Sequence, residues 1–224
     1  MKDDIFARSK GLLGEETFNL IQDKVIAVFG LGGVGGTALE ALARTGFKHF
    51  LIVDFDKVDP SNLNRQILYT AKDIGLLKVD AAKERILAIN NEADVQTFAI
   101  KAQDFDFNQK IDYIVDAIDD VQGKLFILKE AQERKIKQIM SLGMANRFDP
   151  EKVSVAKLNQ THNDPLAKKM RYMVKKAGLS TSDINVVISK ELPQENGQKL
   201  YSTMMVPSSA GLTIAKYILE TIII

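Results

Sequence analysis

The sequence predicts an α/β protein: a mostly parallel sheet flanked by helices, with a mixed-sheet elaboration at its C-terminal end. Three observations carry this. Strand-like and helix-like segments alternate through the first two thirds of the 224 residues, a glycine-rich turn joins the first strand to the helix after it, and the rhythm changes after Pro150. No internal repeat or low-complexity linker divides the chain. A single domain over residues 1–224 is therefore expected, with an α/β part over 1–150 and the elaboration over 151–224.

Val25–Phe29 is an uninterrupted apolar run, as expected for a strand covered on both faces. A helix follows over Gly33–Thr45, and Gly46 stops it as a C-cap. Phe50–Val53 reads as the second strand. Residues 78–90 carry Val79, Ala82, Ile86 and Ile89 at helical spacing. Val95–Ile100 and Tyr113–Ala117 read as further strands, Lys124–Lys135 as a helix and Gln138–Ser141 as a strand. Beyond Pro150 the expectation is a strand over Val153–Leu158, a strongly basic helix over Asp164–Ala177, strands over Asn185–Ser189 and Leu200–Val206, and a final helix over Ser208–Thr221. Asn196-Gly197 reads as a turn tip.

Composition bounds the chemistry. The net charge of +1 means that any affinity for nucleic acid must come from local basic patches. Cysteine is absent, which removes thiolate nucleophiles, disulfides and cysteine–zinc sites together. Met1-Lys2-Asp3-Asp4 leads into no apolar run of signal-peptide length. The apolar stretch Ala210–Ile224 is interrupted by Lys216 and Glu220 and is too short to span a bilayer. It reads as core or subunit interface, and the expected location is cytoplasmic, with no membrane partner.

Gly30, Gly32 and Gly35 satisfy G-x-G-x-x-G directly after a strand and at the mouth of a helix, with Gly33 and Gly36 between and after them. Missing side chains let the backbone approach phosphate, and the helix N-terminus favours anionic charge. The fold expected is thus Rossmann-like. Asp54, at the end of the second strand, can accept bonds from ribose hydroxyls. An NAD-type fingerprint would fit almost as well.

The segment beginning at Asp54 argues for ATP. Residues 54–66 read Asp-Phe-Asp-Lys-Val-Asp-Pro-Ser-Asn-Leu-Asn-Arg-Gln, and a redox enzyme gives no reason for such a loop. Activating a carboxylate with ATP needs ribose acceptors, donors to the triphosphate and a cation at the α-phosphate. Asp54, Asp56, Asn62 and Asn64 are candidate nucleotide ligands. Arg65, whose planar fork can donate two bonds to one phosphate, is the candidate α-phosphate cation, with Lys78 second. Val115–Asp120 places acids at another strand end, where Asp119 can hold Mg²⁺ against the phosphates. Asp116 reads as structural and Asp120 as solvated or a helix cap.

These segments, with Ile74-Gly75-Leu-Leu-Lys78 and Asp116-Ala-Ile-Asp119, resemble the ThiF/MoeB/HesA superfamily of adenylating enzymes, relatives of the ubiquitin-activating enzymes. The resemblance implies a carboxylate attacking the α-phosphate of ATP to give an acyl adenylate and pyrophosphate. It implies nucleotide or metal roles for Gly33, Asp54, Asn62, Arg65, Lys78 and Asp119. Arg8 matches an N-terminal arginine that reaches the partner subunit's ATP in such homodimers.

Members that pass an acyl group to a thiol, or hold zinc on paired Cys-x-x-Cys motifs, need residues this chain lacks. Ser141–Pro150, Asp164–Arg171 and Val206–Leu212 resemble the tRNA threonylcarbamoyladenosine dehydratase branch, which needs no thiol relay; the chain is shorter than that branch after Ser189. The implied reaction is ATP-dependent cyclisation of the threonylcarbamoyl group on an adenosine beside the tRNA anticodon. A tRNA partner implies a basic surface, and Lys168, Lys169, Arg171 and Lys175 are the candidates, with Lys168, Arg171 and Lys175 near one helical face. Lys124, Lys129, Arg134, Lys135 and Lys137 are diluted by acids and read as an ordinary solvated surface. His162 reads as a surface-loop residue and His49 as structural. Three rival readings stay open: adenylation of a ubiquitin-like sulfur-carrier protein's C-terminus, an NAD-dependent oxidoreductase, and a non-catalytic nucleotide-binding scaffold. A sulfur-transfer protein is a further candidate partner.

Overall fold

The computed structural model describes residues 4–195 and 199–223. Two helices, α1 (Ala7–Leu13) and α2 (Glu15–Gln22), precede the first strand. Strands β1 (Val25–Phe29), β2 (His49–Val53), β3 (Asp94–Phe98), β4 (Tyr113–Asp116), β5 (Lys137–Ser141), β6 (Val153–Lys157) and β7 (Asn185–Ser189) form one sheet in the order β3-β2-β1-β4-β5-β7-β6. Every neighbouring pair is parallel except β6–β7, which is antiparallel and closes the C-terminal edge. Helices α3 (Gly33–Thr45), α4 (Lys78–Ile89), α5 (Val121–Glu133), α6 (Pro165–Lys176) and α7 (Met205–Ile223) complete the fold. The fold class is the one the sequence predicts, mixed C-terminal edge included.

The apolar strands are buried on both faces. Ile26, Val28, Phe50 and Ile52 meet α3, α4 and α7 on one side, while Ala27, Phe29, Leu51 and Ile114 meet Phe105, Phe107 and Ile127 on the other. Strand order reverses between β1 and β4, so the crevice outside their carboxyl ends is the topological switch point of the sheet.

Helix α7 is what ties the C-terminal residues to this crevice. Val206, Ala210, Ile214 and Ile218 are buried in the main core, each large side chain contributing about 1.5–3 kcal/mol. Gly211 allows the approach: a Cβ there would lie 2.5 Å from the Val34 carbonyl oxygen and 2.6 Å from Thr37 Cβ in α3. Of the apolar tail, Ile218 is core and Ile223 is exposed. Ile224 lies outside the described residues.

The expected strand over Leu200–Val206 does not form. Leu200 is 80% exposed, and the segment is pinned instead to Asn146, whose N–H donates to the Tyr201 carbonyl (2.7 Å) and whose Oδ1 accepts from Tyr201 N–H (2.8 Å). Asn146 adopts φ 58°, a conformation asparagine tolerates. From Met205 the chain is helical, and Pro207 sits in the first turn, where its missing N–H costs nothing. Helices α1 and α2 were not expected. The predicted turn tip at Asn196-Gly197 lies outside the described residues.

Helix propensity alone says that Gly211→Ala stabilises by about 1 kcal/mol. The backbone contact at 2.5 Å reverses that sign. The variant should be destabilised by about 1–2 kcal/mol, read as a lower urea midpoint at unchanged slope.

Candidate active site

The β1–α3 turn and the β4–α5 turn touch at the switch point. Gly30 has φ 85°, and a Cβ on it would fall 2.8 Å from the Ala117 carbonyl carbon and oxygen. Gly35 is likewise confined by the Gly30 carbonyl, 1.9 Å from where its Cβ would stand. Only glycine lets these turns meet, and the contact floors a crevice of about 630 Å³. Gly32, Asp54, Asn62, Arg65, Lys78 and Asp119 line it together, although they come from four separate stretches of chain. Gly30, Gly33 and Asp56 line it too.

Asp54 is buried beneath the turn. Its Oδ2 accepts from Leu31 N–H (2.7 Å) and its Oδ1 from Asp56 N–H (2.9 Å). The second bond is an Asx turn at the strand end; residues two apart share a face, and Asp54 and Asp56 both address Lys78. Lys78 Nζ lies 2.8 Å from Asp56 Oδ2 and 4.0 Å from Asp54 Oδ2. Burial pushes the Asp54 carboxyl above its usual range, against the pull of the Lys78 ammonium and the two N–H donors.

Asn62 closes a 3₁₀ turn, Pro60–Asn62, and its Oδ1 accepts from Asp59 N–H at 3.1 Å. Arg65 Nη1 donates to the Ser61 carbonyl (2.8 Å) and to Asn64 Oδ1 (3.0 Å). Its Nε and Nη2 donate to no described group, leaving one edge of the fork for a ligand. Asn64 stands outside the crevice lining, where its Nδ2 donates to the Ser202 carbonyl at 2.8 Å. Asp119 is exposed at the crevice wall and pairs with no described group. Asp120 is the N-cap of α5, accepting from Gly123 N–H at 2.6 Å.

Asp116 and Lys124 are both fully buried, and Lys124 Nζ reaches Asp116 Oδ1 at 2.9 Å. Asp116 is structural, as the sequence suggests. Lys124 is not the solvated residue its charged neighbours imply; it is the partner that offsets a carboxyl which burial pushes upward. The pair straddles residues 117–120 and anchors the loop that carries Asp119.

Elsewhere the predicted residues are more scattered. Arg8 is exposed on α1, away from the crevice lining. Lys168, Lys169 and Lys175 are exposed on α6. Arg171 turns inward, its Nη1 bonded to both the carbonyl and the hydroxyl of Thr161. Sequence reasoning did not single out Phe55, Lys101 or Gln103 from the crevice lining. The signal was positional: Lys101 and Gln103 follow the carboxyl end of β3, on the edge where such sheets bind ligands. Among the described residues no helix is long and apolar enough to cross a membrane, and no cluster of three metal-ligating side chains occurs.

The chain is similar to known proteins over most of its length. The ThiF family pattern matches residues 6–170. The chain is 38% identical over 194 residues to the tRNA threonylcarbamoyladenosine dehydratase of Bacillus subtilis (strain 168), covering 84% of this chain and 75% of that protein. The crystal structure of the E. coli tRNA N6-threonylcarbamoyladenosine dehydratase TcdA in complex with ATP superposes with a TM-score of 0.91 at 31% identity, covering 97% of this chain and 93% of that one. The AMP complex of the same E. coli protein gives a TM-score of 0.90 at the same identity and coverage.

The buried pair has a measurable consequence. Lys124→Met leaves Asp116 as an uncompensated buried carboxyl and should lower stability by about 3–5 kcal/mol. Combining it with Asp116→Leu should recover most of the loss, so that denaturant unfolding of the double variant lies nearer the parent than the single variant does.

Proposed function

The chain belongs to the ThiF family, and we propose that it is an ATP-dependent tRNA threonylcarbamoyladenosine dehydratase. The observation that carries this reading is the convergence of Gly32, Asp54, Arg65, Lys78 and Asp119 on one crevice, within a fold that matches an ATP-bound dehydratase over nearly its whole length.

ATP lies across the switch point, its phosphates toward the Gly30–Gly36 turn and the N-terminus of α3. Asp54 retains lone pairs beyond its two backbone bonds and accepts from ribose hydroxyls. The substrate carboxylate attacks the α-phosphate, the new oxygen–phosphorus bond forms, and pyrophosphate leaves. Arg65, through its free edge, and Lys78 meet the charge that develops there. Such preorganised donors are worth about 10²–10³ in rate. A nucleophile within the same threonylcarbamoyl group then attacks the activated carbonyl. AMP departs with the former carboxylate oxygen, so the modified adenosine loses the elements of water. Ring closure inside one group gains from proximity and needs no enzyme nucleophile, in keeping with a chain that has no cysteine.

Mg²⁺ fits the donor set. Asp119 is a single unpaired carboxylate facing the crevice, and Mg²⁺ is commonly held by one or two carboxylates together with substrate phosphates and water. Bound there, it would supply charge neutralisation to the triphosphate. The exposed position of Arg8 on α1 supports the homodimer reading, in which it reaches the partner subunit's ATP.

Incubation with ATP, Mg²⁺ and tRNA bearing threonylcarbamoyladenosine should release AMP and pyrophosphate and yield the cyclised nucleoside, detected by mass spectrometry of the digested tRNA. AMP without cyclised nucleoside would sink the dehydratase reading while sparing adenylation. Arg65→Ala should lower the rate of adenylation by about 10²–10³; a near-parental rate removes Arg65 from the site. If Arg8 acts across the dimer, Arg8→Ala and Arg65→Ala subunits, each inactive alone, regain activity when mixed and re-equilibrated. Mixtures that stay inactive place Arg8 outside the partner's site.

A further inference from the structure

Helix α6 carries an arrangement that the crevice chemistry leaves unused. Its inner face is fixed: Ala167, Met170 and Val174 are buried against Leu125 and Leu128 of α5 and Met140, Val186 and Ile188 of the sheet. Its outer face therefore has one orientation. At its centre stands Tyr172, 64% exposed, a large aromatic side chain with no apolar cover. The residues three and four positions before and after it are Lys168, Lys169, Lys175 and Lys176, every one a lysine and every one exposed.

At 3.6 residues per turn, Lys168 and Lys175 project about 40–60° to one side of Tyr172, and Lys169 and Lys176 about 40–60° to the other. All four are near neighbours of the ring, with Cβ separations of about 5–6 Å. The helix contains no acid, and Asp164, its N-cap, is consumed by the N–H groups of Leu166, Ala167 and Gly143. Among the described residues none of the four ammonium groups pairs with a carboxylate or sits over the Tyr172 ring. Four unneutralised cations framing an uncovered ring call for a ligand that is both polyanionic and aromatic.

We infer that α6 is a stacking platform for single-stranded RNA, with the Tyr172 ring under an unpaired base and Lys168, Lys169, Lys175 and Lys176 on the flanking phosphates. The inference rests on the RNA-modifying function proposed above and specifies where the strand lies. A duplex hides its base faces and can use only the lysines, whereas an unpaired base can use the ring as well. The platform also lies on a useful path. Asp164 Oδ2 accepts from Gly143 N–H at 2.9 Å, so α6 starts on the rim at the carboxyl end of β5, beside the β4 end that bears Asp119. Arg171 lies to one flank of the ring, its Nη1 held by Thr161, and the platform is built on Tyr172 and the four lysines. The candidate RNA-contacting set thus gains Tyr172 and Lys176.

The probe is an oligoadenylate of about eight nucleotides, within the usual site size for such grooves, compared with a duplex RNA of the same length across a salt series. The full chain should prefer the single strand. Tyr172→Ala should weaken its binding about 5- to 100-fold at every salt concentration with an unchanged salt slope, and Tyr172→Phe should stay within about twofold of the parent. Lys168→Gln or Lys175→Gln should each reduce the slope of log K against log salt by about 0.7. Tyr172 is exposed, so its replacement leaves the core intact, and circular dichroism confirms the fold. Parental affinity in Tyr172→Ala overturns the platform, as does equal affinity for the duplex. Failure of the functional reading shows separately, as absence of cyclised nucleoside from the parent protein, whatever Tyr172→Ala does.

Discussion

The backbone contact between Gly30 and Ala117 is the constraint on which the site depends. Two turns from non-adjacent segments of sequence meet where the strand order reverses, at a distance that a single methyl group would forbid. That contact brings the N-terminus of α3 beside the loop bearing Asp119. It also leaves the Leu31 N–H pointing at Asp54, whose second oxygen turns the chain toward Asp56 and Lys78. The crevice is thus assembled from hydrogen-bonded turns on a rigid sheet, which is how a site holds its donors before the ligand arrives.

Charge in this region is placed at a cost that the local geometry meets. Asp54 and Asp116 both lie where burial disfavours the carboxylate, and each has a lysine nearby. The two lysines differ in setting. Lys124 is sealed beneath the β4–α5 loop, so its pairing with Asp116 anchors structure. Lys78 sits at the crevice wall between two carboxylates. A similar division separates Arg147, which is buried and spent on the carbonyls of Gly143, Asn163 and Glu191, from Arg65, which keeps one edge free.

Much of the fold and the site was legible in the sequence because the signals were local. Val25–Phe29 is apolar throughout, as a strand covered on both faces requires, and the glycines after it permit just such a strand–turn–helix junction. The errors arose where a long-range contact overrode local pattern. Leu200–Val206 reads as a strand, yet Asn146 holds its beginning and α3 draws its end into a helix. Lys124 lies in a stretch of mixed charge, and nothing local says that a carboxyl 8 positions earlier waits beneath it. Arg171 shares a helical face with lysines by spacing, and the path of residues 158–164 brings Thr161 to its Nη1.

Sequence alone set the architecture, the glycine-rich strand–turn–helix junction and the residue types available for activating a carboxylate. Those arise from periodicity, glycine placement and side-chain chemistry, all properties of short windows. Which candidates share a site was decided by the tertiary fold. Asp54, Arg65, Lys78 and Asp119 converge because a sheet that reverses its strand order gathers loops from distant positions at one edge. Asn64 was drawn out of the crevice lining by the Ser202 carbonyl, far along the chain. Tyr172 acquired its setting because core packing of Ala167, Met170 and Val174 turns the opposite face of α6 to solvent.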